Sequence, residues 1–184
     1  MRASGILMPV FSLPSRYGIG SFSKSAYQFV DMLKKAGQKY WQILPLCPTS
    51  YGDSPYQSFS TYAGNPYFID LDQLIEEKLL TRKECQACDF GDDPQDIDYG
   101  KLYENRFKLL RKAYERANVG EDQEFEAYRR ENAWWLDDYA LFMAVKDRFD
   151  GVAWNEWAEG NYLEPDLRYG KKFLEVIRKY VEEG

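Results

Sequence analysis

Tyr40-Trp41-Gln42-Ile43-Leu44-Pro45-Leu46 reads as a buried strand, and it runs directly into Cys47 to Pro66, a long loop with Gly, Ser and Pro throughout. Upstream, Ser23 is placed to cap a helix in which Ala26, Phe29, Val30 and Leu33 recur at helical spacing. Lys34 and Lys35 fall in its last turn, where cations favour the helix dipole, and Gly37 stands where the chain must leave the helix. Before it, Gly5 to Met8 is a short apolar run ended by Pro9. Strand, helix and strand in this order predict a βαβ unit, whose strands are parallel and whose crossover is right-handed. That is the opening of an α/β barrel, and barrel enzymes place their sites in the loops that follow the carboxyl ends of the strands, as Cys47–Pro66 does.

Further along, Tyr67 to Leu71 reads as another strand and Asp72 to Leu80 as a short helix of mixed charge. Asp89 to Asp98 is an acidic, proline-containing linker, most simply a solvated turn. From Tyr99 to Ala117 the apolar residues Leu102, Phe107, Leu110 and Tyr114 predict one helix. From Asn132 to Phe149, Trp135, Tyr139, Phe142 and Met143 predict a second. A last amphipathic helix is expected over 168–181. The division predicted is residues 1–80 as the first strands and helices of a barrel with its substrate loop at 47–66, residues 81–150 as an inserted helical subdomain, and residues 151–184 as a strand and helix of the kind that ends a barrel.

The 184 residues suffice for one good core, and 45% hydrophobic with 29% charged residues is ordinary for a globular chain. A net charge of −6 argues against nucleic acid, which needs clustered Lys and Arg. No apolar run is long enough to cross a bilayer, the first residues lack a signal-peptide core, and the expected compartment is the cytoplasm. Three cysteines fit a reducing environment, and the lone pair Cys85-x-x-Cys88 reads as chance spacing. No histidine is present, which removes Ser-His-Asp and Cys-His catalysis and leaves acid–base work to carboxylates. The aromatic share is high, 17% with 15 Tyr and 5 Trp, and such side chains stack on sugar rings as readily as they pack a core.

The loop Pro48-Thr49-Ser50-Tyr51-Gly52-Asp53-Ser54-Pro55-Tyr56-Gln57-Ser58-Phe59-Ser60-Thr61-Tyr62-Ala63-Gly64-Asn65-Pro66, with Ser4-Gly5-Ile6-Leu7, Ser12-Leu13-Pro14-Ser15 and Gly37-Gln38 upstream, resembles the N-terminal part of the amylomaltase (4-α-glucanotransferase) family. Glu131-Asn132-Ala133-Trp134-Trp135-Leu136-Asp137-Asp138-Tyr139-Ala140-Leu141-Phe142 extends the resemblance to about residue 150. It implies α/β architecture, a partial (β/α)8 TIM barrel with inserted subdomains. It also implies retaining transfer of α-1,4-glucan segments between maltooligosaccharides, without a cofactor or metal. Carried over position by position, Ser54 and Tyr56 line the donor side of the cleft, with Tyr56 at the reacting sugar, and Tyr51 lies in an outer groove holding a distant part of the glucan. Asp53 and Asn65 have a plainer reading, since Asp and Asn bond their own loop backbone.

The family's nucleophile, acid/base and transition-state stabiliser lie downstream of the matched region. A barrel of this type takes roughly 250 residues, so the isolated chain is expected to be an incomplete and inactive piece, with unpaired strand edges that invite self-association.

The run Asn155-Glu156-Trp157-Ala158-Glu159-Gly160, with Arg168-Tyr169-Gly170 and a helix behind it, resembles instead the end of WbsX-like glycan-associated barrels of the endo-mannosidase clan. That resemblance implies acid/base and substrate-orienting roles for Glu156 and Glu159. A glycosidase pair must converge across one bond, and with the rest of such a barrel absent, solvated carboxylates are the simpler reading. Three functions therefore remain: a piece of an α-glucan transferase, a small glycan-processing enzyme using Glu156 and Glu159, and a non-catalytic carbohydrate-binding domain.

Overall fold

The computed structural model describes residues 3–49, 52–93 and 95–148. Tyr51, Glu156, Glu159 and the helix expected over 168–181 lie outside the described residues. The chain divides into two compact units, one built from Met1–Gln57 and Gly64–Glu121, the other from Ser58–Ala63 and the chain from Asp122 onward.

In the first unit, β1 (Gly5–Leu7) pairs in parallel with β2 (Tyr40–Gln42), Gly5 opposite Tyr40 and Leu7 opposite Gln42. Helix α1 (Lys24–Lys35) crosses between them, so the expected strand–helix–strand unit is present. Its cap is Ser23, whose hydroxyl accepts from the Ser25 N–H, Lys34 and Lys35 occupy the last turn, and Gly37 follows at φ +71°. Gly5 lets the strands approach closely, because a Cβ there would stand 2.7 Å from the Tyr40 carbonyl oxygen. Two expectations fail here. Strand β2 ends at Gln42, and Tyr40 is 66% exposed, not buried. Val30, placed inward by spacing, is exposed, because α1 rests on Ala26 and Phe29 and turns Val30 outward.

The apolar core of this unit gathers Val10, Leu13, Tyr17 and Ile19 from the turns after β1 with Leu71, Leu80, Leu102 and Leu109. Tyr67–Leu71 is not a strand. Pro66–Phe68 forms a turn of 3-10 helix capped by Asn65, whose side chain accepts from the Tyr67 N–H at 3.0 Å. Asp70 then caps α2 (Leu71–Glu76) by accepting from the Asp72 N–H. Two Asx caps in six residues compete successfully with a strand, which a short apolar run alone does not exclude. Helix α2 stops four residues before the expected Leu80, at a left-handed Lys78 with φ +63°, and the N–H groups of Leu79 and Leu80 return to the Leu74 carbonyl.

Helix α3 (Arg82–Gln86) was not anticipated, although Thr81-x-x-Glu84 carries the capping-box signature and both reciprocal bonds form. Helix α4 (Tyr99–Arg116) has nearly the expected span but a rotated inner face: Leu102, Arg106, Leu109 and Ala113 are buried, whereas Phe107 is partly exposed and Tyr114 largely so. In the second unit, α5 (Gln123–Arg148) begins nine residues before the predicted start, where the Asp122 carboxylate accepts from the N–H groups of Glu124 and Phe125. Trp135 and Phe142 are buried on it as expected.

Among the described residues, no helix is long and apolar enough to cross a membrane.

Candidate functional site

The loop that follows β2 is closed at its neck by the Asn65 N–H, which donates to the Leu46 carbonyl at 2.8 Å. Asn65 therefore serves the backbone twice, as the plain reading of the sequence expected. Past Pro48, which is buried, the chain turns through two consecutive left-handed residues, Gly52 at φ +94° and Asp53 at φ +56°. Aspartate tolerates that region better than most residues with a Cβ. The Thr49 hydroxyl donates to the Asp53 carboxylate at 3.5 Å, and burial raises the pKa of that carboxyl above its usual value against the opposing effect of this bond.

The next four residues form a tight turn. The Ser54 carbonyl accepts from the Gln57 N–H at 3.1 Å, and the Ser54 hydroxyl accepts from the Tyr56 N–H at 3.4 Å. Its effect is to lift Tyr56 out of the surface, where the side chain is 72% exposed. The structure thus brings Ser54 and Tyr56 together in one turn but gives them different work: Ser54 is half-buried and anchors the backbone, while the Tyr56 ring and hydroxyl face outward.

Below the loop, burial pushes the Tyr67 phenol up to about 12, with the negative charge of Asp53 adding to the effect and Arg106 opposing it. The phenol is therefore neutral at physiological pH and cannot serve as a nucleophile there. Arg106 is 1% exposed, donates from Nη2 to the Ile69 carbonyl, and has its pKa lowered by burial to about 10. It ties α4 to the end of the loop segment. What the loop offers chemically is recognition: an outward aromatic, a hydroxyl and a single carboxylate, Asp53. Retaining transfer needs two carboxyl groups about 5–5.5 Å apart, which one aspartate does not supply.

Residues 58–63 group with the second unit. Ser60 is fully buried, and its hydroxyl accepts from the N–H groups of Tyr62 and Ala63. This turn sends Phe59 inward against Tyr139 and Phe142, with Lys146 Nζ 4.2 Å from the Phe59 ring centre. It sends Tyr62 outward, edge to face with Trp134 at 4.8 Å, each about half exposed. Sequence reasoning singled out neither of this pair; the available signal was a loop tyrosine together with one tryptophan of Trp134-Trp135 left off the apolar face.

Comparison with known proteins places these features. The profile of glycoside hydrolase family 77, described as 4-alpha-glucanotransferase, matches residues 8–180 and so runs through the tail that was expected to be a WbsX-like barrel end. A 4-alpha-glucanotransferase of Clostridium butyricum is 51% identical over 176 residues, 96% of this chain and 34% of that protein. That of Thermus thermophilus is 47% identical over 160 residues, 85% of this chain and 31% of that protein. The structure of the amylomaltase from Streptococcus agalactiae in complex with acarbose superposes with a TM-score of 0.78 at 40% identity, over 100% of this chain and 36% of that one. The chain thus spans about a third of the length of the relatives it matches, and on a match that takes in nearly all of its own residues it belongs to the 4-alpha-glucanotransferase family.

Proposed function

We propose that this chain carries the N-terminal, sugar-contacting third of a 4-α-glucanotransferase, and that by itself it binds α-1,4-glucan weakly without transferring it. The observation that carries this reading is the combination of 51% identity with coverage of only 34% of the relative. The chain has the family's loop, with Tyr56 held outward on a built turn, and the loop has one carboxylate where the chemistry needs two. In this reading β1, α1 and β2 are the first pieces of a (β/α)8 barrel, supported by their parallel pairing and by the likeness to the amylomaltase. Residues 81–150 are its helical insertion. The protein works in the cytoplasm on maltooligosaccharides, and Tyr51, Ser54 and Tyr56 contact them.

The test is disproportionation of maltotriose by the purified chain, read by product chromatography, with a parallel binding titration. No longer or shorter glucans are expected. Their appearance overturns the reading and turns attention to Glu156 and Glu159, for which a WbsX-like tail would imply acid/base and substrate-orienting roles in a small glycan-processing enzyme. In that case replacing either glutamate by glutamine abolishes turnover. Binding that survives those changes and weakens on Tyr56→Ala fits the sugar-contacting role of the loop.

A further inference from the structure

Gly52 and Asp53, both left-handed, reverse the chain immediately before the turn that carries Tyr56. Glycine adopts that conformation without strain, and it stands at the first of the two positions. At the second the chain has an aspartate, which the left-handed region tolerates when its short side chain finds a local hydrogen bond. Asp53 finds one in the Thr49 hydroxyl, a side chain four residues back and not the loop backbone. Both residues are half-buried.

Thr49 stands on the fixed arm of the loop. Pro48 before it is buried, and the Leu46 carbonyl is held by the Asn65 N–H. The Asp53 carboxylate also lies close enough to the Tyr67 and Tyr99 phenols for its charge to push both of them up. Tyr67 is buried, so the carboxylate faces the inner side of the loop, while Tyr56, three residues on, faces out. Withdrawing a carboxylate from water is costly unless it is bonded, and a surface loop needing only a reversal would be served by a second glycine. Beyond Asp53 the connections run straight to the aromatic ring. Ser54 follows it in the chain, the Ser54 hydroxyl accepts from the Tyr56 N–H, and the Ser54 carbonyl accepts from the Gln57 N–H.

We propose that Asp53 is a positioning residue for glucan binding: tethered to Thr49, it holds the Ser54 turn so that Tyr56 is presented to the sugar, and does not touch the sugar itself. This deepens the sugar-contacting role proposed above for Tyr56 and rests on it.

The test compares the native chain with Asp53→Gly, Asp53→Asn and Thr49→Val. Calorimetric titration gives maltoheptaose affinity, and the rate of chymotrypsin cleavage after Tyr56, located by mass spectrometry, reports the turn without any sugar. Asp53→Gly keeps the left-handed backbone and removes the tether, and Thr49→Val removes its other end at nearly constant shape. Each is expected to weaken binding and to speed cleavage after Tyr56 by about fivefold. Cleavage after Tyr103, exposed within α4, should not change, which shows that the unit stays folded. Asp53→Gly combined with Thr49→Val should match either change alone. Asp53→Asn keeps an acceptor for the Thr49 hydroxyl and should stay within about twofold of the native chain. In a Tyr56→Ala background, Asp53→Gly should weaken binding no further.

Unchanged cleavage after Tyr56 in Thr49→Val overturns the proposal, as does a combined variant whose two effects multiply. A loss of affinity on Asp53→Gly that persists in the Tyr56→Ala background also overturns it, and makes Asp53 a sugar contact. The expected cleavage pattern in a chain that binds no maltoheptaose supports the tether and counts against the sugar-contacting reading alone.

Discussion

The indole N–H of Trp41 donates to the main-chain carbonyl of Met8 at 2.7 Å, joining residues 33 apart in the chain just where β1 ends. The same ring packs edge-on against Phe29 of α1, so one side chain fastens both strands and the crossover helix. Trp41→Phe keeps the aromatic contact and removes the hydrogen bond; a loss of about 1 kcal/mol is expected. Trp41→Ala removes both and should cost roughly 3 kcal/mol or more. Urea denaturation followed by far-ultraviolet circular dichroism measures both; no loss on Trp41→Phe would show that the Met8 bond contributes nothing of its own, and equal losses for the two variants would show that the ring packing adds nothing to it.

Helix α2 ends at Lys78 in the left-handed region, φ +63°, with Leu79 and Leu80 both bonded back to the Leu74 carbonyl. A residue with a Cβ is strained there by about 1–2 kcal/mol, and glycine is not. The Lys78 side chain is exposed. Lys78→Gly should therefore stabilise the chain by about 1 kcal/mol net of the extra flexibility of unfolded glycine. A fall in melting temperature would contradict this reading of the helix stop.

These two sites mark how far the sequence could be read. Helix α1 was legible because every signal is local: the Ser23 cap, the closing lysines, and Gly37 at the left-handed stop. The end of α2 was not, because the same conformation is held by a lysine whose residue type gives no sign of it. Helix α4 was legible as a helix but not in its orientation. Periodicity favours Phe107 and Tyr114, whereas the fold buries Arg106, whose guanidinium finds the Ile69 carbonyl far away in sequence. In the loop, the exposure of Tyr56 follows from a four-residue turn, but the pairing of Tyr62 with Trp134 depends on tertiary structure, and a loop tyrosine and an off-face tryptophan do not by themselves say that they meet.

Glu84 sits at the centre of a surface network. Arg116 forks onto it, Nη2 to Oε1 at 2.7 Å and Nη1 to Oε2 at 2.9 Å, and the Thr81 hydroxyl and N–H donate to Oε2. The Arg116 bond first, and then the Thr81 bonds, hold the carboxyl far below the ordinary glutamate range. Folded protein thus binds fewer protons at this site than unfolded protein. Its contribution is fully present above the unfolded value, about 4.3, and is lost as pH falls from there through the depressed folded value. Melting temperatures of the native chain and Glu84→Gln should differ most between pH 6 and 8, and the gap should shrink progressively as pH falls below about 4. A gap unchanged down to pH 3 would mean that the carboxylate charge is not what Arg116 and Thr81 hold.

Ser54 and Tyr56 should separate by their work. Tyr56 is 72% exposed and its side chain braces nothing in the turn, so Tyr56→Ala should leave stability within about 0.5 kcal/mol, as for other surface sites. If the ring stacks on a sugar, its removal forfeits on the order of 1 kcal/mol, which weakens maltoheptaose binding roughly five- to tenfold. Tyr56→Phe should keep most of that affinity, since the ring face remains. Ser54→Ala removes only the acceptor for the Tyr56 N–H, a weak bond at 3.4 Å, and should soften the turn with a smaller loss of affinity. Calorimetric titration of the four proteins decides the matter. Loss on Ser54→Ala equal to or larger than that on Tyr56→Ala would place the serine hydroxyl, not the aromatic ring, against the glucan.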